Sequence, residues 1–391
     1  MTQVVLTAAF RTALGDFGGT LKSVPPADLA QLIVEHTFKA VGGPSHLEKV
    51  IFGNCFSPLD QNMARIASYR AGVPESVPAF TINSTCGSSL QALISSVQAV
   101  QCGEASMVLN GGVESMSSAP YIMDSARWGQ RMRHLQAYDL LWKGMQEHPI
   151  GVGMGLTAEN LAERYGISRE EQDEFAVRSH RCAASAIDQG KFKAEIVPVP
   201  FAKAKSATVL FDTDEHVRRD VTREQLAKLP AVFKKDGTVT AGNACGMNDA
   251  AAAVVVTTLD TAKSLGLEPL VEVRSYKVAG VDPSFMGIGP VPAIRGALER
   301  ASLNLADIDR FEINEAFAAQ YLACERELGL DRDRVNVYGS GIALGHPVGA
   351  TGCRLVVTLF HQMVAEQLRY GVASLCAGGG MGFAVVLERV N

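Results

Sequence analysis

Two stretches far apart in this chain share one layout, and that repeat constrains the fold more than any other feature. Leu47-Glu-Lys-Val-Ile-Phe-Gly-Asn54 and Ile308-Asp-Arg-Phe-Glu-Ile-Asn314 each read as a short loop, an apolar strand and a closing asparagine. Cys86 follows Asn54 by 32 residues, and His346 follows Asn314 by the same 32. A second echo links Gly103-Glu-Ala-Ser-Met-Val-Leu-Asn-Gly-Gly112 with Gly371-Val-Ala-Ser-Leu-Cys-Ala-Gly-Gly379, each read as a Gly-x-Ala-Ser turn, a strand and a glycine pair after a long helical stretch. Apolar runs at Val4-Val5-Leu6, Met107-Val108-Leu109 and Ala252–Val256 alternate with helical patterns such as Asp28–Phe38 and Leu90–Val100. The expectation is an α/β protein built from a duplicated unit.

The middle of the chain has another texture. Between residues 119 and 245, polar helical patterns (Thr157–Tyr165, Arg169–Gln189) alternate with charged, proline-containing loops. This reads as an insertion above the site, since binding loops sit on rigid scaffolds. At 391 residues, two or three domains are expected. A net charge of −5 and a pI near 5.9 leave no concentrated basic face for nucleic acid. The first residues lack the basic leader and long apolar core of an export signal. No window approaches the roughly 18 to 20 unbroken apolar residues of a membrane span. A soluble, cytoplasmic protein without a membrane partner is the expectation. Eight cysteines without a C-x-x-C pair suit neither a zinc site nor a disulfide scaffold.

Chemistry concentrates at four places. In Asn83-Ser84-Thr85-Cys86-Gly87-Ser88-Ser89, a strand at Ala79–Ile82 ends and small residues open a helix. A cysteine there meets unpaired N–H groups and the positive end of the helix dipole, so a lowered pKa and an exposed thiolate nucleophile are expected. Ser340-Gly-Ile-Ala-Leu-Gly-His346-Pro-Val-Gly sets an imidazole where the other half sets Cys86, suited to taking the thiol proton. Leu375-Cys376-Ala-Gly378-Gly379-Gly380 supplies a second thiol and a backbone that can approach a ligand closely. Asn314-Glu315-Ala316-Phe317 ends its strand with an amide that can hold a water. Together, at the carboxyl ends of equivalent strands, these form a site.

With these residues in view, the chain resembles the thiolase family along its whole length. The resemblance runs through Val4–Gly19, NSTCGSSLQAL around Cys86, GGVESMS at Gly111–Ser117, MGLTAEN at Met154–Asn160, GTVTAGN at Gly237–Asn243, MGIGP at Met286–Pro290, NEAF, GHPVG and CAGGGMG. It implies the thiolase fold: two βαβαβ-type halves in a five-layered α-β-α-β-α core with an inserted loop domain. The expected boundaries are 1–118 plus 246–268 for the first half, 119–245 for the CoA-binding insertion, and 269–391 for the second half. A homo-oligomer, either a dimer or a dimer of dimers, is also implied.

The resemblance further implies an acyltransferase that makes or cleaves a carbon–carbon bond between acyl groups on coenzyme A, within fatty acid metabolism. Cys86 would carry the acyl group, His346 would take its proton, and Cys376 would act on the second substrate. One oxyanion hole would use the N–H groups of Cys86 and Gly378; the other, His346 and a water held by Asn314. No metal or redox cofactor is expected, with CoA serving as substrate or product. Arg218 is the match for a contact to the CoA nucleotide. Met154, Ala241, Cys245, Met286 and Phe317 would line the pantetheine channel. Two positions depart from the family pattern. Cys245 stands where a serine is usual, which weakens one hydrogen bond. Gly153 stands where acetoacetyl-CoA specialists carry a histidine before Met-Gly, so a roomier acyl pocket without a fixed imidazole is expected, with longer 3-ketoacyl chains accepted. VNVYGSG at Val335–Gly341 also departs from the commoner VNPNGGA.

Three other readings compete. A decarboxylating ketoacyl synthase would carry a second histidine in place of Cys376. A nucleotide-dependent oxidoreductase, suggested by Gly151-Val-Gly153-Met-Gly155, lacks the buried strand that must precede such a loop, because Lys143–Pro149 is polar and proline-broken. A non-catalytic acyl or lipid carrier would have no need of Cys86, Asn314, His346 and Cys376 together.

Overall fold

The computed structural model describes residues 2–129, 131–132, 134–203 and 207–390. An 11-stranded sheet runs through it. The first half contributes β1 (Val4–Thr12), β2 (Lys49–Gly53), β3 (Ala79–Ile82), β4 (Met107–Ser115) and β5 (Asn248–Thr258). The second contributes β6 (Val271–Gly280), β7 (Arg310–Ile313), β8 (Tyr370–Ala377) and β9 (Met381–Arg389). Their spatial order is β7-β8-β9-β6-β1-β5-β4-β2-β3. The halves share a plan: β2–β4 and β7–β8 are parallel pairs, and each is followed by an antiparallel pair, β4–β5 and β8–β9, while the place of β3 is taken in the second half by a single bridge between Phe311 and Val335. They join at one edge, where Val5 pairs with Glu272 and Leu6 with Val271.

Seven longer helices dress this sheet: α1 (Pro26–Lys39), α2 (Ser88–Gln101), α3 (Met154–Tyr165), α4 (Arg169–Asp188), α5 (Pro290–Ala301), α6 (Ala318–Leu328) and α7 (Val348–Ala365). The β4 and β5 side chains alternate between two cores, as a period of two requires. Met107, Leu109, Ala251 and Val255 face α1, whereas Val108, Ala252 and Val254 face α2 and α7. In the second half Val372, Ala384 and Val386 face α5 and α6, and Ala373, Val385 and Leu387 turn back to α2 and α7. The layers are therefore α1, the first-half strands, α2 with α7, the second-half strands, and α5 with α6, the five-layered α-β-α-β-α order that the resemblance implies.

Cys86 lies two residues before α2 and His346 two residues before α7, so the repeat read from the sequence is a repeat in space. The second echo is not. Val50 pairs with Leu109 and Arg310 pairs with Gly371. Val50 and Arg310 each precede their asparagine by the same distance, so Gly371 occupies the place of Leu109, not of Gly103. Gly103 is a left-handed turn residue (φ 71°), while Gly371 is inside β8.

The inserted region packs on the second half, with Leu161 of α3 and Phe175 of α4 in the α6 core and Phe175 stacked on Tyr321 at 4.3 Å. It is also tied to the first half by charge. Arg11 of β1, fully buried, donates to Asp214 at 2.7 and 2.9 Å and to Glu195 at 2.6 Å. Among the described residues, α7 is the one helix long and apolar enough to cross a membrane, with 83% of it buried as the central layer.

The two central helices approach β4 so closely that only glycine fits. A side-chain carbon at Gly112 would fall 2.4 Å from the Gly349 carbonyl oxygen and 2.6 Å from Ser89 Cβ. Gly112→Ala should therefore force α7 outward and lower stability by about 1 to 3 kcal/mol, the usual range for overpacking. Urea denaturation checks this, and an unchanged midpoint would show that the helices have slack there.

Candidate active site

The loop between β3 and α2 holds Cys86 in a strained bend. Thr85, immediately before it, adopts φ 50°, a left-handed conformation that a β-branched residue avoids. Four contacts hold it there. The Thr85 N–H donates to Asn83 Oδ1 (3.1 Å), and the Thr85 carbonyl accepts from Ser88 Oγ (2.6 Å) and from the Cys55 thiol (3.1 Å). Thr85 Oγ1 donates across the pseudo-twofold to the Gly378 carbonyl at 3.2 Å. Gly87 is required next, because a side-chain carbon there would fall 2.3 Å from the Phe383 ring.

Cys86 is half-buried. Burial pushes its pKa up to about 11, and the N–H groups of Gly378 and of Cys86 itself oppose that rise without reversing it. The expected resting thiolate is thus corrected: desolvation outweighs the helix-start donors, and the thiol keeps its proton at neutral pH. The same two N–H groups are those expected to form an oxyanion hole.

His346 is buried, and the network around it assigns its tautomer. The Thr351 hydroxyl donates to the Pro347 carbonyl (2.9 Å), so it accepts from His346 Nδ1–H at 2.7 Å. Nε2 is therefore bare, and it is buried with no hydrogen-bond partner among the described residues. Burial, with help from the Arg354 charge, pulls the imidazole pKa down to about 3, so the ring is neutral. Its backbone is fixed as well, since the His346 N–H donates to Asn248 Oδ1 at 2.9 Å. Asn314 follows β7 with its Nδ2 3.4 Å from His346 Nδ1, a contact between two donors rather than a hydrogen bond, and its Oδ1 is buried without a partner among the described residues. Both of these unpartnered acceptors, His346 Nε2 and Asn314 Oδ1, suit a water or substrate donor.

Cys376 lies on β8, fully buried, and burial beside Cys86, Cys324 and Cys245 holds its thiol well above the usual range. Cys245 is near the same sulfurs, its pKa raised by burial to about 12; its N–H donates to the Ala316 carbonyl at 3.0 Å. Met286 and Phe317 share the apolar cluster of Cys376, and Met154 packs against that cluster. Ala241 and Arg218 are both exposed. Arg218 is not part of this grouping; its N–H donates to His180 Nδ1 at 3.2 Å, beside the Asp16–His216 pair.

Several positioning residues escaped the sequence reading. Glu114, fully buried at the end of β4, accepts from Asn54 Nδ2 (3.1 Å) and from the N–H groups of Cys55 (3.0 Å), Phe56 (3.0 Å) and Gly349 (2.9 Å). One carboxylate thus clamps the loop after β2 to the first turn of α7. Burial lifts its pKa to about 7 against those donors. Glu114 stood in the GGVES motif, but nothing local marked its partners. Asn248 and Thr351 carried no signal beyond their small polar side chains.

The reading of Gly153 also changes. A side-chain carbon there would fall 2.8 Å from the Gln146 carbonyl oxygen and 3.0 Å from its Oε1. That space is already filled by the end of the preceding helix, so the missing side chain does not enlarge the acyl pocket. The expected absence of an imidazole fails too, because His148 lies against the Gly378–Gly379 turn.

The chain matches the family described as "Thiolase, N-terminal domain" over residues 4–260 and "Thiolase, C-terminal domain" over residues 267–389. A probable acetyl-CoA acyltransferase of Staphylococcus aureus (strain COL) is 48% identical over 392 residues, covering 100% of both chains. The crystal structure of the Bacillus anthracis acetyl-CoA acetyltransferase superposes with a TM-score of 0.96 at 48% identity, covering 100% of this chain and 99% of that one. Human mitochondrial 3-ketoacyl-CoA thiolase superposes at 0.96 and 42% identity, covering 100% and 99%. A structure of that human enzyme in complex with CoA gives 0.95 and 42%, covering 100% and 98%.

Because the Cys86 pKa lies near 11, the thiolate fraction should climb about tenfold per pH unit through pH 8 to 10. Iodoacetamide labelling of Cys86, followed by peptide mass mapping, should show that rise. A rate that levels off below pH 8 would contradict a protonated resting thiol.

Proposed function

The chain belongs to the thiolase family, and from that premise we propose that it catalyses thiolysis of 3-ketoacyl-CoA and the reverse Claisen condensation through an acyl group on Cys86. As a member of that family it is an acyltransferase. The observation that carries the finer reading is the meeting of three features: Cys86 held behind the left-handed Thr85, the neutral His346 with a bare Nε2, and the Gly378 N–H reaching the Cys86 sulfur.

In this mechanism Cys86 attacks the thioester carbon of the acyl donor in condensation, or the 3-keto carbon in thiolysis, as His346 Nε2 takes its proton. Burial penalises a lone thiolate, so attack and proton transfer go together, and negative charge develops on the oxygen of the attacked carbonyl rather than resting on sulfur. The Cys86 and Gly378 N–H groups meet that oxygen. Protonated Nε2 then serves as a donor beside Asn314, where the enolate oxygen of the second acyl group would sit. In condensation the departing CoA thiolate takes the Cys376 proton, and the Cys376 thiolate then removes a proton from the methyl carbon of that group; in thiolysis Cys376 protonates the departing acetyl-CoA enolate and then accepts the CoA thiol proton. Thiols, imidazole and backbone donors suffice for these steps, so the reading calls on no metal or redox cofactor. Met154, Cys245, Met286 and Phe317 would line the pantetheine path, with Ala241 and Arg218 contacting CoA further out. We place the enzyme in the cytoplasm, in fatty acid metabolism, as a dimer or dimer of dimers. The complex of the human relative with CoA supports the ligand.

Removing the second thiol tests the division of labour. Cys376→Ala should still be acylated on Cys86 by acetyl-CoA, while turnover falls by about 10² to 10⁴, the scale of a lost general acid/base. Stopped-quench mass spectrometry beside steady-state thiolysis measures both. Loss of acylation with later steps intact would reverse the roles.

A further inference from the structure

A polar chain outside the reacting groups ends on His346. Asn248, fully buried at the start of β5, fills the space beside Gly345: a carbon built there would fall 2.3 Å from Asn248 Cγ. Gly345 has φ 111°, and no residue with a side chain would leave room for that amide. The amide is oriented by what it bonds. Its Nδ2 donates to the Gly15 carbonyl at 3.0 Å and to Asp16 Oδ1 at 3.3 Å, which turns its own Oδ1 toward the His346 N–H at 2.9 Å. The direction of this side chain therefore sets where the Gly345–His346 backbone stands, and with it the imidazole.

Asp16 is shared, because the oxygen that accepts from Asn248 is also bonded to His216 Nδ1. Burial works to raise the Asp16 pKa, but the bond and charge of His216, the Arg218 charge and the Asn248 bond hold it below the usual carboxylate range. The carboxylate is therefore an acceptor only, and Nδ1 carries the proton of this bond. The other edge of the His216 ring presses on the backbone beside Asn248: a carbon built on Gly246 would fall 2.6 Å from His216 Cε1 and 2.9 Å from Asn248 Oδ1. His216 belongs to a segment of the inserted region that is locked to the first half. Asp214 accepts from Arg11 and from the Leu14 N–H (2.9 Å), and Glu215 accepts from the Asp16 N–H (2.9 Å) and the Thr20 hydroxyl (2.6 Å). Val217 packs against the cluster that holds Ala343 and Leu344, just ahead of His346.

We propose that His216 is a positioning residue for the reaction, one that acts through Asp16 and Asn248 to hold His346 where its Nε2 can take the Cys86 proton. This rests on the thiolase reading above and goes beyond it by giving the inserted region a part in the acid/base step. Transfer of a proton is sensitive to placement, since a shift of about 1 Å can cost about 10²-fold in rate.

The test is rapid acid quench of the intact enzyme with excess acetyl-CoA, following acetyl on Cys86 by peptide mass. The amplitude counts folded enzyme, whereas the rate constant and the half-saturating acetyl-CoA concentration separate chemistry from binding. In His216→Leu, which keeps bulk against Gly246 and loses the N–H, the rate constant at saturation should fall about tenfold with half-saturation unchanged. His216→Asn, whose Nδ2 stands where the imidazole Nδ1 does, should recover most of that rate. Asp16→Ala should match His216→Leu, and the double variant should be no slower than either, because the two residues act in series. An unchanged rate constant in His216→Leu, a His216→Asn as slow as the leucine variant, or losses that multiply in the double variant would overturn the role of His216 while the thiolase reading stands. If the wild type takes no acetyl on Cys86, that reading falls and this assignment with it.

Discussion

Everything at this site depends on the contact between the first turns of α2 and α7. A carbon at Gly352 would fall 2.6 Å from the Leu90 nitrogen, and one at Gly53 would fall 2.4 Å from the Ser89 nitrogen. The Cys353 N–H donates to Ser89 Oγ across the gap at 2.9 Å. The two helices thus cross almost backbone to backbone, and the residues just ahead of each, Cys86 and His346, arrive at one place from opposite halves. Both helices also present their positive ends there, which favours the negative charge that acyl transfer develops. Glu114 fastens the same junction from the side of β4.

Around that contact, burial sets the chemistry. Left alone, a cysteine at a helix start would be acidic and a histidine would titrate near neutrality. Here desolvation moves the two in opposite directions, so both are uncharged at rest. The consequence is a nucleophile that becomes reactive only when its proton has somewhere to go and its substrate offers an oxygen for the charge. Buried charges elsewhere hold the frame. Arg11 ties the inserted region to β1, and Asn248 ties the His346 backbone to the Gly15 carbonyl at 3.0 Å. Removing one partner of a buried pair such as Arg11 with Asp214 leaves an uncompensated charge, which makes this anchor less tolerant than a surface salt bridge.

Much of this was legible in the sequence, and the reason is periodicity. β3 at Ala79–Ile82 and the strands of the first repeat were visible because apolar runs and glycine turns bound them. The equal spacing of Asn54 to Cys86 and Asn314 to His346 survived although the elements between them differ, a helix Met63–Arg70 and a strand in one half and a helix Ala318–Leu328 with short turns in the other. The Gly103 and Gly371 stretches misled, because similar small residues served a turn in one place and a strand in the other. The Cys86 protonation state was not legible, since a helix start is local and burial comes from three layers of distant chain. The partners of Glu114 and the place of His148 were hidden for the same reason. Gly153 was misjudged because its neighbour, Gln146, is set by how a helix ends rather than by a motif.

The central claim is that carbon–carbon cleavage passes through an acyl thioester on Cys86. Acid-quenching the enzyme with acetoacetyl-CoA, then mapping its peptides by mass, tests this most directly. The account predicts one acetyl group on Cys86 and none on Cys376, Cys245 or Cys55. Acetyl mass on one of those other thiols, with Cys86 unmodified, would contradict it.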